Sequence, residues 1–100
     1  MQAPKKTPLT VLAFDYGVQK IGIALGHTLT LAARPLTIIP CENGSPCWDD
    51  IKRLIKEWQI DAFVVGLPLT DSQQFQPITY AAQKFGRRLQ QRFKKPTYFV

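Results

Sequence analysis

Acidic side chains are scarce in this chain, 7 Asp and Glu against 13 Lys and Arg in 100 residues. Any site that needs several carboxylates has few to draw on. Histidine occurs once, at His27, and cysteine twice, at Cys41 and Cys47. With no second cysteine pair, no zinc framework can be assembled. The two cysteines read as reduced loop thiols, with a local disulfide left open. No apolar run approaches the roughly 18 residues that a membrane-spanning helix requires. The start, Met1-Gln2-Ala3-Pro4-Lys5-Lys6, lacks the apolar centre of a secretory signal. A cytoplasmic protein is therefore the expectation, and no internal repeat or low-complexity segment points elsewhere.

What is present is enough for one core. The chain is 45% hydrophobic, and a domain of this size buries roughly 65% of the surface its unfolded form exposes. The formal charge of +6 favours attraction to polyanions such as nucleic acid, although charge alone fits an ordinary basic protein equally well.

Residues 1 to 8, with Pro4 and Pro8, read as a short disordered lead-in, and residues 9 to 100 as a single domain. Thr10 to Phe14 is a continuous apolar run, which predicts a central strand covered on both faces. Lys20 to Gly26 alternates, with Ile21, Ile23 and Leu25 on one face and Gly22, Ala24 and Gly26 on the other. Glycines inside a strand mark close approach by another backbone or a ligand. A third strand is expected over Ala32 to Ile39, placed at an edge by Pro35. Ser45-Pro46 predicts a helix start, with Ser45 as N-cap and the proline in the first turn. Trp48, Ile51, Leu54, Ile55 and Trp58 follow at helical spacing.

A short strand, Ala62 to Gly66, runs into the turn Leu67-Pro68. After a polar loop, Pro77 opens a second helix with Ile78, Ala81, Ala82, Phe85, Leu89 and Phe93 on one stripe. Thr97 to Val100 begins another strand. Three antiparallel strands followed by helix, strand, helix and strand define an α/β fold with a mixed sheet and helices on its faces.

Asp15 is the residue that carries chemistry. It ends the first strand beside Gly17, facing a neighbouring strand whose alternate positions are nearly bare. A carboxylate held there suits a divalent ion or a phosphate site; an Asp that caps its own turn is the competing reading. Lys20 and Arg34 flank the same elements and are candidate phosphate contacts, or plain surface charge. Lys84, Arg87, Arg88, Arg92, Lys94 and Lys95 decorate the second helix and its end, either as a nucleic-acid footprint or as cations complementing the helix dipole. His27 reads as a surface or turn group and Asp71 as a solvated loop residue.

The runs Phe14-Asp15-Tyr16-Gly17, Lys20-Ile21-Gly22-Ile23-Ala24, Ala33-Arg34-Pro35-Leu36 and Val65-Gly66-Leu67-Pro68-Leu69, in this order and spacing, resemble the YqgF/RuvX family. Its members are described as Holliday junction resolvases and as pre-16S rRNA nucleases. The resemblance covers nearly all of the chain after residue 9. It implies an RNase H-like fold and a nuclease using Mg²⁺ or Mn²⁺ on structured RNA or branched DNA, with rRNA-end processing the first expectation and junction cleavage the alternative. Asp15 matches the family's first catalytic and metal-binding carboxylate. Lys20, Arg34, Arg87 and Arg88 are the residues assigned to nucleic acid, and a homodimer is allowed for.

The family's two later acids fall beyond the strand starting at Thr97, so the domain is expected to be C-terminally incomplete and inactive alone. The loop Leu69-Thr70-Asp71-Ser72 also departs from the family's usual asparagine and glycine. Two other readings stand beside this one. A non-catalytic nucleic-acid-binding module would explain the charge and the missing acids. An actin-like phosphate-binding fold would explain the Asp-x-Gly turn.

Overall fold

A computed structural model describes residues 9–28 and 32–100. The lead-in expected over residues 1–8 lies outside the described residues. Six strands form one mixed sheet: β1 (Thr10–Asp15), β2 (Lys20–His27), β3 (Ala32–Glu42), β4 (Ser45–Pro46), β5 (Ala62–Val65) and β6 (Thr97–Phe99). Helix α1 (Trp48–Trp58) precedes β5, and α2 (Pro77–Phe93) joins β5 to β6. The sheet order is β4-β3-β2-β1-β5-β6. Strands β1 to β4 pair antiparallel, while β5 and β6 add on parallel to β1. This is the mixed sheet that the element order predicted, in the RNase H-like arrangement that the family resemblance implied.

The core lies on one face of the sheet. Leu12 and Phe14 of β1, Ile21, Ile23 and Leu25 of β2, and Phe63 and Val65 of β5 are all buried there. Ile51 of α1 and Ala82, Phe85 and Leu89 of α2 join them in the cluster, with Tyr16, Ile39 and Ile60. Phe85 joins the layers: its ring centroid lies 5.3 Å from Phe14, 5.2 Å from Tyr16 and 5.8 Å from Trp48. Both helices therefore pack on the same side. That corrects the expectation for β1, whose burial alternates rather than covering both faces, with Asp15 exposed at its end. An apolar run fixes a strand but not how many of its faces find a partner.

The start of α1 also differs from expectation. Ser45 and Pro46 form β4, paired with Glu42 and Cys41 of β3, and Cys47 takes the N-cap position with no side-chain hydrogen bond. The turn responsible is Asn43-Gly44, with φ of 54° and 78°. Two consecutive residues at positive φ make the tight hairpin whose twist matches its strands, and Asn-Gly is its strongest signal. β3 consequently extends to Glu42, three residues past the expected end, and remains at the edge except where β4 covers it.

The second helix begins as predicted. The backbone N–H of Gln76 donates to Thr79 Oγ1 at 2.9 Å, and Thr79 donates to the carbonyl of Pro68. The fully buried threonine thus anchors the turn after β5 to the first turn of α2.

Candidate nuclease site

Three local features hold Asp15 at the mouth of the sheet. Gly22 is its partner across the β1–β2 pair. The amide of Gly66 donates to the Phe14 carbonyl at 3.1 Å, so pairing with β5 continues up to the residue before Asp15. The turn that follows is tight: a Cβ at Gly17 would lie 2.6 Å from the Lys20 carbonyl oxygen, closer than real side chains approach. The amide of Cys41 donates to the Gln19 carbonyl at 2.8 Å and ties this turn to β3.

Asp15 faces the side of the sheet that neither α1 nor α2 covers. It borders an open hollow of 530 Å³ whose floor is Ala13, Gly22, Ala24, Val64 and Gly66. A second hollow, of 540 Å³, is bordered by Asp15, Gly17, Lys20 and Ile38. A Cβ at Gly22 would sit 3.7 Å from the Asp15 Cβ, an ordinary contact. Among the described residues nothing crowds a Cβ there, and the room beside the carboxylate is open.

The structure brings Asp15 and Lys20 together on the second hollow and sets the other candidates farther off. Arg34 borders the first hollow away from Asp15: it pairs with Leu25, three residues along β2 from Gly22, and its guanidinium lies 5.2 Å over the Trp58 ring at the end of α1. Arg87 and Arg88 stand on α2, across the sheet from the Asp15 carboxylate. His27 pairs with Thr10 at the opposite end of β1, five residues or about 17 Å along the strand from Asp15. Asp71 is exposed in the loop after β5. Among the described residues no three His, Cys, Asp or Glu side chains gather into a metal-binding group. Asp15 thus fits a divalent ion as one ligand, since Mg²⁺ commonly takes one or two carboxylates and fills its shell from water and phosphate oxygens.

Sequence reasoning missed the role of Tyr16. It points to the helix side, is 8% exposed, and its hydroxyl donates to the Gly44 carbonyl at 2.7 Å. The residue after Asp15 is thereby clamped to the β3–β4 hairpin. Burial pushes the phenol's pKa above its ordinary value; the neighbouring Cys41 adds to this and Arg88 opposes it. Burial likewise raises the Cys41 thiol. The Asn-Gly turn was the signal that could have shown this clamp.

This mixed-sheet fold has counterparts among solved structures. Thermus thermophilus RuvC superposes with a TM-score of 0.56 over 92% of this chain and 63% of its own, at 15% identity. YeaZ from Pseudomonas aeruginosa does so at 0.52 over 92% and 42%, at 18% identity. Both likenesses concern the fold. Residues 9–100 match the model of the RuvX family, Holliday junction resolvase, and the chain belongs to that family. Relatives from Aeromonas salmonicida and Alcanivorax borkumensis are 50% and 49% identical over 90 residues and carry the name "Putative pre-16S rRNA nuclease". The match covers 90% of this chain in both, and 64% and 68% of the relatives' lengths.

Proposed function

We propose that the chain belongs to a metal-dependent nuclease that cleaves phosphodiester bonds in structured nucleic acid, with the precursor end of 16S rRNA as substrate and Asp15 as a metal ligand. The observation that carries this reading is an exposed carboxylate on a central strand, beside two glycine positions that leave space for a phosphate backbone. Family membership supports it, as do the names of the relatives.

Divalent ions, when bound, activate water and offset charge on the attacking and leaving oxygens. The chain's own residues prepare the ground for that chemistry. β1, paired on both sides, holds the Asp15 carboxylate still. Lys20, on the same hollow, draws in a phosphate without competing for the ion. Gly22 and Gly66 let the sugar-phosphate chain approach the sheet closely. One carboxylate does not by itself make a two-ion site.

Two measurements test the proposal. Mn²⁺ added to isotope-labelled protein should broaden the amide signals of Asp15, Tyr16, Gly22 and Gly66, and Asp15→Asn should abolish that broadening. In any form of the protein that cleaves a precursor 16S rRNA fragment, Asp15→Asn should lower the rate on the order of 100-fold or more, at least as much as loss of a group that merely supports a ligand. Cleavage undiminished by the substitution would remove Asp15 from the mechanism. A four-way DNA junction assayed in parallel separates rRNA processing from resolvase activity.

A further inference from the structure

The exposed side of α2 carries an arrangement that the Asp15 site does not use. At its N-terminal end the rings of Phe75 and Tyr80 lie 5.1 Å apart at 60°, and they are 41% and 59% exposed. Tyr80, Lys84 and Arg88 then follow at i, i+4 and i+8, which places them one above another along the helix. Arg92 continues the line, held 4.4 Å over the Trp48 ring. From Tyr80 to Arg92 the stripe is about 18 Å long. Two hollows open beside it: one of 230 Å³ between Asn43, Gly44, Lys84 and Arg88, and one of 470 Å³ between Ser45, Arg88, Gln91 and Arg92.

The charge on this helix is not offset locally. α2 contains no Asp or Glu, and Lys84, Arg87, Arg88 and Arg92 have no ion-pair partner among the described residues. The helix dipole accounts for Arg92 in the last turn, but its influence fades within that turn and does not reach Lys84 in the middle of the helix. Free cations beside exposed rings are what a nucleic-acid strand requires: phosphates neutralise the cations while unstacked bases lie on the rings. A duplex hides its base faces in its own stack, so the rings add affinity only for an unpaired strand.

We infer that the α2 face from Phe75 and Tyr80 through Lys84 and Arg88 to Arg92 is a binding track for single-stranded nucleic acid, on the side of the sheet opposite the Asp15 carboxylate. The inference rests on the nuclease reading only in taking nucleic acid as the partner.

Fluorescence anisotropy of a short labelled oligouridylate, titrated with the protein in EDTA, tests it without any cleavage. Tyr80→Ala should weaken binding about tenfold, within the range for a base stacked on an aromatic ring, and leave the salt dependence unchanged; Tyr80→Phe should bind as the wild type does. The double variant Lys84→Gln/Arg88→Gln should reduce the slope of log affinity against log salt by about 1.4, at about 0.7 for each single-strand phosphate left without its cation. All these side chains are exposed, so melting temperatures should stay near that of the wild type. Unchanged affinity in Tyr80→Ala, a duplex bound as tightly as the single strand, or displacement by polyglutamate at equal charge would each overturn the inference, the last by pointing to an acidic protein. Failure of the nuclease reading shows separately, as cleavage indifferent to Asp15→Asn.

Discussion

Replacing Tyr16 with Phe tests how the hairpin and the strand bearing Asp15 are joined. The substitution keeps the ring against Phe85, 5.2 Å away, and removes only the hydroxyl that donates to the Gly44 carbonyl at 2.7 Å. A hydrogen bond of this kind contributes about 1 kcal/mol net. In a domain of this size that corresponds to a fall in Tm of about 4–8 °C. The pH dependence adds a second handle. Because burial raises the folded-state pKa of Tyr16, its stabilising contribution is fully present below the phenol's ordinary value of about 10. That contribution is lost as pH rises through the higher folded value, where the unfolded chain ionises first.

Urea denaturation at pH 8 should therefore show Tyr16→Phe less stable by about 1 kcal/mol, and the gap should narrow above about pH 10. The Cys41 thiol, raised by burial as well, contributes an alkaline loss common to both proteins and cancels in the comparison. A cost below about 0.3 kcal/mol at pH 8, well under the usual net worth of such a bond, would refute the clamp. So would a gap that widens with pH.

Two further substitutions probe the scaffold. Phe85→Ala removes the ring that bridges Phe14, Tyr16 and Trp48 and should cost about 3–5 kcal/mol, with Phe85→Leu markedly milder; a loss under about 1 kcal/mol in a denaturant titration would mean that the helices are not held through this residue. Gln59, which ends α1 in the left-handed region at φ 51°, should gain about 0.5–1 kcal/mol on replacement by Gly, because only glycine adopts that conformation without strain. A lowered Tm in Gln59→Gly would contradict that account.

Much of the fold was legible because it depends on local pattern. The alternation of Ile21, Ile23 and Leu25 with Gly22, Ala24 and Gly26 reports which face of β2 is buried, and the stripe from Ile78 to Phe93 reports the inner side of α2. Each follows from the period of its element. The beginning of α1 was misread for a local reason as well: Ser45-Pro46 is a sound helix-start signal, but Asn43-Gly44 before it closes a hairpin, and the strand pair claims Ser45 and Pro46 first.

The sequence by itself determined the order of the elements other than β4, the strand-end position of Asp15 and the family, because these are properties of consecutive residues and their spacing. Which side chains meet was decided by tertiary structure alone. Arg34 and Lys20 look equivalent along the chain, yet strand register sends Arg34 over Trp58 and leaves Lys20 beside Asp15. Asp15 and Tyr16 are adjacent, but the pleat turns one to the open face and the other to the hairpin. Phe75 and Tyr80 become neighbours only once the loop after β5 folds back onto the first turn of α2. These outcomes depend on register, on the face each residue presents and on how the loop closes, and all three are set by the packing of the whole chain.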